Sequence, residues 1–140
     1  MKHLIIPTVN VFIISDSKLM LSRRANTGWM DGSLCPPGGH IEAGETPTVA
    51  MLLKIKEELG VTVKPEDLEF ACVVVRNTPA TETVAFEFVV RGKAYTYKNN
   101  EPDKCSELMW VDLNDLPTDI IDQFREVLLQ GIIKKNSILK

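Results

Sequence analysis

Several kinds of residue and segment are scarce in this 140-residue sequence, and each scarcity excludes something. Lys and Arg number 16 against 19 Asp and Glu, a formal net charge of -3, which is the wrong overall sign for gripping long nucleic acid or an anionic membrane. A small anionic ligand, held locally, stays compatible with that balance. Only three cysteines occur, Cys35, Cys72 and Cys105, an odd number without metal-type spacing or the density of a disulfide framework. A reducing cytoplasm is the compartment this implies. Apolar runs are short as well: Leu4-Ile5-Ile6 follows a lone Lys2 and stops at Pro7, far from the roughly 20 residues of a membrane span. Neither secretion nor membrane insertion is expected. Internal repeats, low-complexity tracts and Ser/Gly linkers are missing too.

What remains is ordinary globular composition, 44% hydrophobic and 25% charged, with a chain long enough to bury roughly 70% of its unfolded surface. Residues 1–140 are therefore expected to form one domain.

The stretch 8–14 is rich in β-branched residues and runs through Ser15-Asp16-Ser17 into Leu19-Met20-Leu21, which predicts two paired strands. A polar loop from Ala25 leads to Leu34-Cys35-Pro36-Pro37-Gly38-Gly39, where Pro and Gly preclude a regular helix and backbone must set the shape. From Thr46 the period changes. Thr46 suits a cap, Pro47 the first helical position and Gly60 the stop, with Val49, Leu52, Ile55 and Leu59 as the apolar stripe. On that wheel Lys54, Glu57 and Glu58 share the side away from the stripe, and Lys56 lies near it and must snorkel. Strands are predicted over 70–75, 83–90 and 108–111, and a last helix after Pro117 with Ile120, Ile121, Phe124, Val127 and Leu128 inward. The order of elements predicts an α/β or α+β layered sandwich.

Gly39, five residues, Glu45, seven residues, then Leu53-Lys54-Ile55-Lys56-Glu57-Glu58-Leu59-Gly60-Val61 resembles the Nudix box of Nudix hydrolases, the MutT-like family. The family's Arg-Glu pair is here Leu53-Lys54. Cys35-Pro36-Pro37-Gly38-Gly39 is similar to the family's Pro-Gly-Gly lead-in, and Trp110 with Leu116-Pro117 to its closing strand and helix. The resemblance implies the Nudix fold, a mixed β-sheet core sandwiched between helices. It also implies a loop-helix-loop that holds a divalent metal, Mg²⁺ or Mn²⁺. Such hard cations take carboxylate and carbonyl oxygens together with substrate phosphates, and they lower the pKa of bound water.

By the same resemblance, the Gly38 carbonyl and the Glu57 and Glu58 carboxylates are metal ligands, and Glu45 organises the site without its usual arginine. Lys54 stands where many members have a further acid. Three readings of Lys54 are open: it neutralises Glu57 and Glu58 in place of metal, it swings out to solvent, or it contacts substrate phosphate. Replacement acids would come from Glu82, Glu87 or Glu101. Arg23 and Arg24, just before the Gly-containing loop, suit a phosphate or base contact, or form a plain strand-edge charge pair. Trp29 suits stacking on a base. Asp119 suits either a base edge or a helix N-cap.

Two functions follow. One is metal-dependent hydrolysis of a pyrophosphate bond in a nucleoside diphosphate linked to another group, such as a nucleoside triphosphate. The other is a catalytically silent nucleotide-binding module, suggested by Leu53-Lys54. Either way the partner is a small nucleotide, with no long nucleic acid and no membrane, and a homodimer is left open.

Overall fold

The computed structural model describes residues 3–77 and 79–133. Within them the elements run β1 (Ile6–Ser15), β2 (Lys18–Arg24), β3 (Leu34–Cys35), β4 (Gly38–His40), α1 (Pro47–Leu59), β5 (Glu69–Asn77), β6 (Glu82–Arg91), β7 (Cys105–Asp112) and α2 (Asp122–Glu126). A 3₁₀ turn, Pro65–Asp67, precedes β5, and α2 widens into a π-helical stretch, Val127–Ile133.

β1 is the axis. Its alternation puts Val9, Val11 and Ile13 on one face and Phe12 and Ile14 on the other, and all five are buried. Along one edge β1 runs parallel to β6, from Ile6↔Thr83 to Ile14↔Arg91, and β6 pairs antiparallel with β5. Its other edge is divided. β4 takes Thr8, Val9 and Asn10, whereas β2 pairs only at the hairpin end, Ile14↔Leu19 and Ser15↔Lys18. Asp16 and Ser17 both have positive φ, 51° and 61°, the two-residue turn whose twist matches the strands it joins. Beyond the turn β2 leaves β1 and pairs with β3, while β7 runs along its other edge from Lys18↔Asp112 onward. The sheet forks there.

α1 covers one face, packing Ala50, Met51, Ile55 and Leu59 against Val9, Val11, Ile13, Phe88 and Val90. On the other face Phe124, Val127, Leu128 and Ile132 pack against Phe12, Ile14, Leu19, Leu21 and Val89. The result is an α+β fold with a mixed sheet between helices. Thr46 caps α1 through Val49 N–H, and Gly60 ends it in the left-handed conformation, φ 67°.

Three local expectations differ from the structure. Leu34-Cys35 and Gly38–His40 form short strands, because β2 and β1 each leave an edge stretch for them to pair with. The buried row of α1 is Met51, Ile55 and Leu59, spaced i, i+4, i+8, while Val49 is 46% exposed. That rotation brings Lys54 and Glu58, three residues after Met51 and Ile55, to the border of the core, and it leaves Lys56 exposed. Finally, the last helix starts at Asp122 without a side-chain cap. Asp119 accepts a hydrogen bond from Arg23 and so does not cap it.

Candidate active site

A cavity of about 400 Å³ opens in the fork, between the β2 side and the β4–α1 side. Arg24, Gly38, Lys54, Glu57, Glu58 and Glu101 face it.

Gly38 is set by the pairing of β4 with β1. Val11 N–H bonds Pro37 O and Ile41 N–H bonds Pro7 O, each at 3.0 Å. Gly38, opposite Asn10, therefore falls at the alternate position, with its N–H and carbonyl turned away from β1. The N–H lies on the Glu58 side and helps hold that carboxyl ionised. No other residue fits: a Cβ here would lie 2.2 Å from Val9 O and 2.4 Å from Asn10 Oδ1. Asn10 is itself held, its Nδ2 donating to the fully buried Glu87 at 3.1 Å.

Glu58 carries the strongest electrostatic signature in the cavity. Burial, then the nearby Glu101 and Glu57 carboxylates, push its pKa up to about 7 against the opposing Gly38 N–H and Lys54. Lys54 has not swung out to solvent. Its side chain is 20% exposed, with Nζ 3.8 Å from Glu57 Oε2, and its stem lies against Gly39, 3.1 Å from where a Cβ would be. Glu57 is 58% exposed, so this i,i+3 pair is worth only a few tenths of a kcal/mol.

A second cavity, about 510 Å³, adjoins the first, and Arg24, Cys35, Pro36 and Gly38 line both. Its polar side comes from Thr8, Asn10, Arg76 and His40, its aromatic side from Trp29 and Phe124. Arg24 is the partition. Its Nε donates to Trp29 O at 2.8 Å and Nη2 to Thr27 Oγ1 at 2.9 Å, and its Cζ stands 4.9 Å from the Trp29 ring centroid. Asp31 accepts from Thr27 and Gly28 and ties the turn that presents Trp29.

Arg23, Glu45 and Asp119 lie outside both cavities. Arg23 donates to Glu107 at 3.0 Å, to Gly32 O at 2.9 Å and to Asp119 at 2.7 Å. It thus joins β2 to β7, to the Trp29 loop and to the segment before α2. The guanidinium holds the Asp119 carboxyl below the usual carboxylate range. Glu45 accepts the Glu42 N–H at 2.8 Å and shapes its own loop, and Leu53 is 42% exposed. Of the replacement acids, Glu101 lines the first cavity. Glu82 pairs with His3, and Glu87 lies buried behind Asn10, its pKa pushed up to about 7 by that burial. Asn10, Arg76, Asn99 and Lys104 face the cavities without having been singled out from the sequence. A usable signal existed for the first, a polar residue inside an apolar strand.

Among the described residues no three His, Cys, Asp or Glu side chains form a ready-made metal cage. Mg²⁺ does not need one, since it keeps several waters and binds through one or two carboxylates plus substrate phosphates. Glu57, Glu58 and Glu101 bring three carboxylates to one cavity, and burial first, then the two neighbouring carboxylates, raises the Glu58 pKa even with Lys54 opposing it. The residues present fit a divalent cation.

Comparison with known proteins identifies the family. The NUDIX domain model matches residues 5–130. Over 109 residues the chain is 30% identical to an ADP-ribose pyrophosphatase from Methanocaldococcus jannaschii, covering 78% of this chain and 63% of that protein. It is 30% identical over 110 residues to the 8-oxo-dGTP diphosphatase of Escherichia coli, covering 78% and 84%. A crystal structure of a MutT NUDIX hydrolase from Burkholderia pseudomallei superposes with a TM-score of 0.81 at 25% identity, covering 91% of this chain and 98% of that one. This chain belongs to the NUDIX domain family.

Proposed function

We propose that residues 1–140 act as one domain that hydrolyses a pyrophosphate bond in a nucleoside diphosphate linked to another group, with Mg²⁺ or Mn²⁺ as cofactor. The observation that carries this reading is the convergence of Glu57, Glu58, Glu101 and the outward-turned Gly38 backbone on one cavity. Those groups would hold the metal, which when bound supplies charge neutralisation at phosphorus and a more acidic water. Lys54, Arg24 and Lys104 line the same cavity and provide donors for the diphosphate oxygens. The group beyond the diphosphate extends past Arg24 into the second cavity, where Trp29 offers a stacking face and Asn10, Thr8 and Arg76 offer polar contacts. Water adds to phosphorus, the bridging oxygen leaves with one phosphate, and a cavity carboxylate takes the proton. Glu45, Arg23 and Asp119 act from outside by holding loops. No helix among the described residues is long and apolar enough to cross a membrane.

The compounds that name two relatives, ADP-ribose and 8-oxo-dGTP, are the first substrates to test. Product release from a panel built around them, with Mg²⁺, Mn²⁺ or chelator, is expected to require metal and to yield a nucleoside monophosphate. A second reading has its own observation. Lys54 already stands beside Glu57, which would make a silent nucleotide-binding module if it displaces the metal. No turnover anywhere in the panel, with nucleotide binding indifferent to metal, is the result that module predicts.

A further inference from the structure

Glu101 reaches the first cavity from residues 92–104, which form neither helix nor strand; Tyr95 and Tyr97 pack the segment against the core, and hydrogen bonds set its cavity end. An α-helix leaves its last four carbonyls without partners. For α1 those belong to Lys56, Glu57, Glu58 and Leu59, and each is satisfied. Gly60 N–H bonds Lys56 O at 3.0 Å, Lys98 N–H bonds Leu59 O at 3.1 Å and Asn100 N–H bonds Glu58 O at 3.0 Å. The fourth, Glu57 O, receives Asn100 Nδ2 at 3.0 Å. Asn100 therefore supplies two of the four caps, one from its backbone and one from its side chain.

The residues that receive these bonds are the two helix acids of the cavity, and the residue after Asn100 is the loop acid. The approach is close. A Cβ on Gly60 would lie 2.4 Å from the Lys98 side chain, so the glycine ends the helix and leaves room for that side chain. On the far side Asn99 anchors the turn. Its Oδ1 accepts Glu101 N–H at 3.1 Å and its Nδ2 donates to Cys105 O at 2.7 Å. Glu101 O accepts from Lys104 and Cys105 N–H at 3.0 and 2.9 Å. Glu101 is thus suspended between the end of α1 and the start of β7.

We propose that Asn100 is a positioning residue that, by capping Glu57 and Glu58 at the backbone, fixes Glu101 against Glu58 and couples the loop acid to the metal-binding face of α1. This rests on the metal reading above and goes beyond it, since it assigns a role to a residue that touches neither metal nor substrate. A plain helix cap would stabilise α1 and leave metal affinity alone. A positioning residue must share its effect on metal with Glu101, which a double-mutant cycle separates.

Mn²⁺ affinity is measured calorimetrically, without substrate, for wild type, Asn100→Ala, Glu101→Gln and the double variant, beside thermal melts of each. Asn100→Ala is expected to weaken Mn²⁺ about as much as Glu101→Gln, by roughly five-fold or more, and the double variant to stay within about two-fold of Glu101→Gln. An Asn100→Ala protein with a lower Tm and wild-type Mn²⁺ affinity overturns the proposal, and so do fully additive losses. If Glu101→Gln binds Mn²⁺ like wild type, the proposal falls while Glu57 and Glu58 survive as ligands. If wild type binds no Mn²⁺, the metal reading fails, and with it the coupling. Placement of Glu101 is then still measured by amide exchange in metal-free protein. The Lys104 and Cys105 amides should exchange about ten-fold faster in Asn100→Ala with the α1 interior unchanged. Equal rates overturn the placement as well. Asn100→Asp keeps the main-chain bond and the size but loses the Nδ2 donor, and it serves the exchange measurement should the alanine variant not fold.

Discussion

At Gly38 the space a side chain needs is already taken by Val9 O and Asn10 Oδ1. Gly38→Ala must move β4 off β1, with an expected loss of about 2 kcal/mol or more in a denaturant titration. Its partner Glu58 lies at the border of the buried row. Glu58→Gln is expected to keep the fold and to reduce metal-dependent turnover by about 10-fold or more, because a neutral amide is a poorer Mg²⁺ ligand. Unchanged turnover in the folded variant would remove Glu58 from the site. Glu87 makes a pH prediction. Its carboxyl goes from an ordinary 4.5 to about 7 in the folded protein, so between those values the folded state holds a proton that the unfolded state has released. Stability therefore falls as pH rises from about 4.5 to 7 and stays low above it. Glu87→Gln mimics the neutral form and keeps an oxygen for Asn10. At pH 8 it should gain on the order of 1–3 kcal/mol, and at pH 4 almost nothing, since about 1.4 kcal/mol per pKa unit sets the ceiling.

Among the elements, α1 was legible to the residue because its ends are local chemistry: Thr46, Pro47 and Gly60 each do at the terminus what their side chains or φ allow. Which face it buries was not. Val49, Leu52, Ile55 and Leu59 also make an apolar stripe, and only the sheet decides that Met51 goes inward. The same rotation explains why Lys54 is in the cavity rather than on a solvated face. β3 and β4 are too short, and too rich in Gly and Pro at their junction, to carry a period of their own. Glu101 was reachable only through the family resemblance, and no sequence pattern singled out Asn99 or Asn100. For α1, Lys54→Glu places a third carboxylate beside Glu57 and Glu58. Metal affinity should rise, and the metal-free protein should lose a few tenths of a kcal/mol to like-charge repulsion. Adding Leu53→Arg should recover part of that loss through Glu45. Faster hydrolysis by the double variant means Lys54 weakens the metal site. Slower hydrolysis with tighter metal means Lys54 grips substrate phosphate. Unaltered metal affinity would place Lys54 outside the site.

Across the whole molecule the fork in the sheet makes the site, since β2 must leave β1 for the two cavities to exist. Arg23 holds the outer branch together through Glu107, Gly32 and Asp119. Arg23→Ala is expected to lower stability by about 1 kcal/mol and, by loosening the Trp29 loop, to raise KM more than it lowers kcat. The central claim is that the first cavity binds a nucleotide diphosphate through a divalent cation. Calorimetric titration of ADP-ribose into the Glu58→Gln protein and into wild type, with Mg²⁺ and with chelator, tests it most directly, the variant slowing turnover during the measurement. Mg²⁺ should tighten binding to wild type by about 10-fold or more and tighten binding to the variant much less. The same affinity with Mg²⁺ and with chelator in wild type would contradict the account.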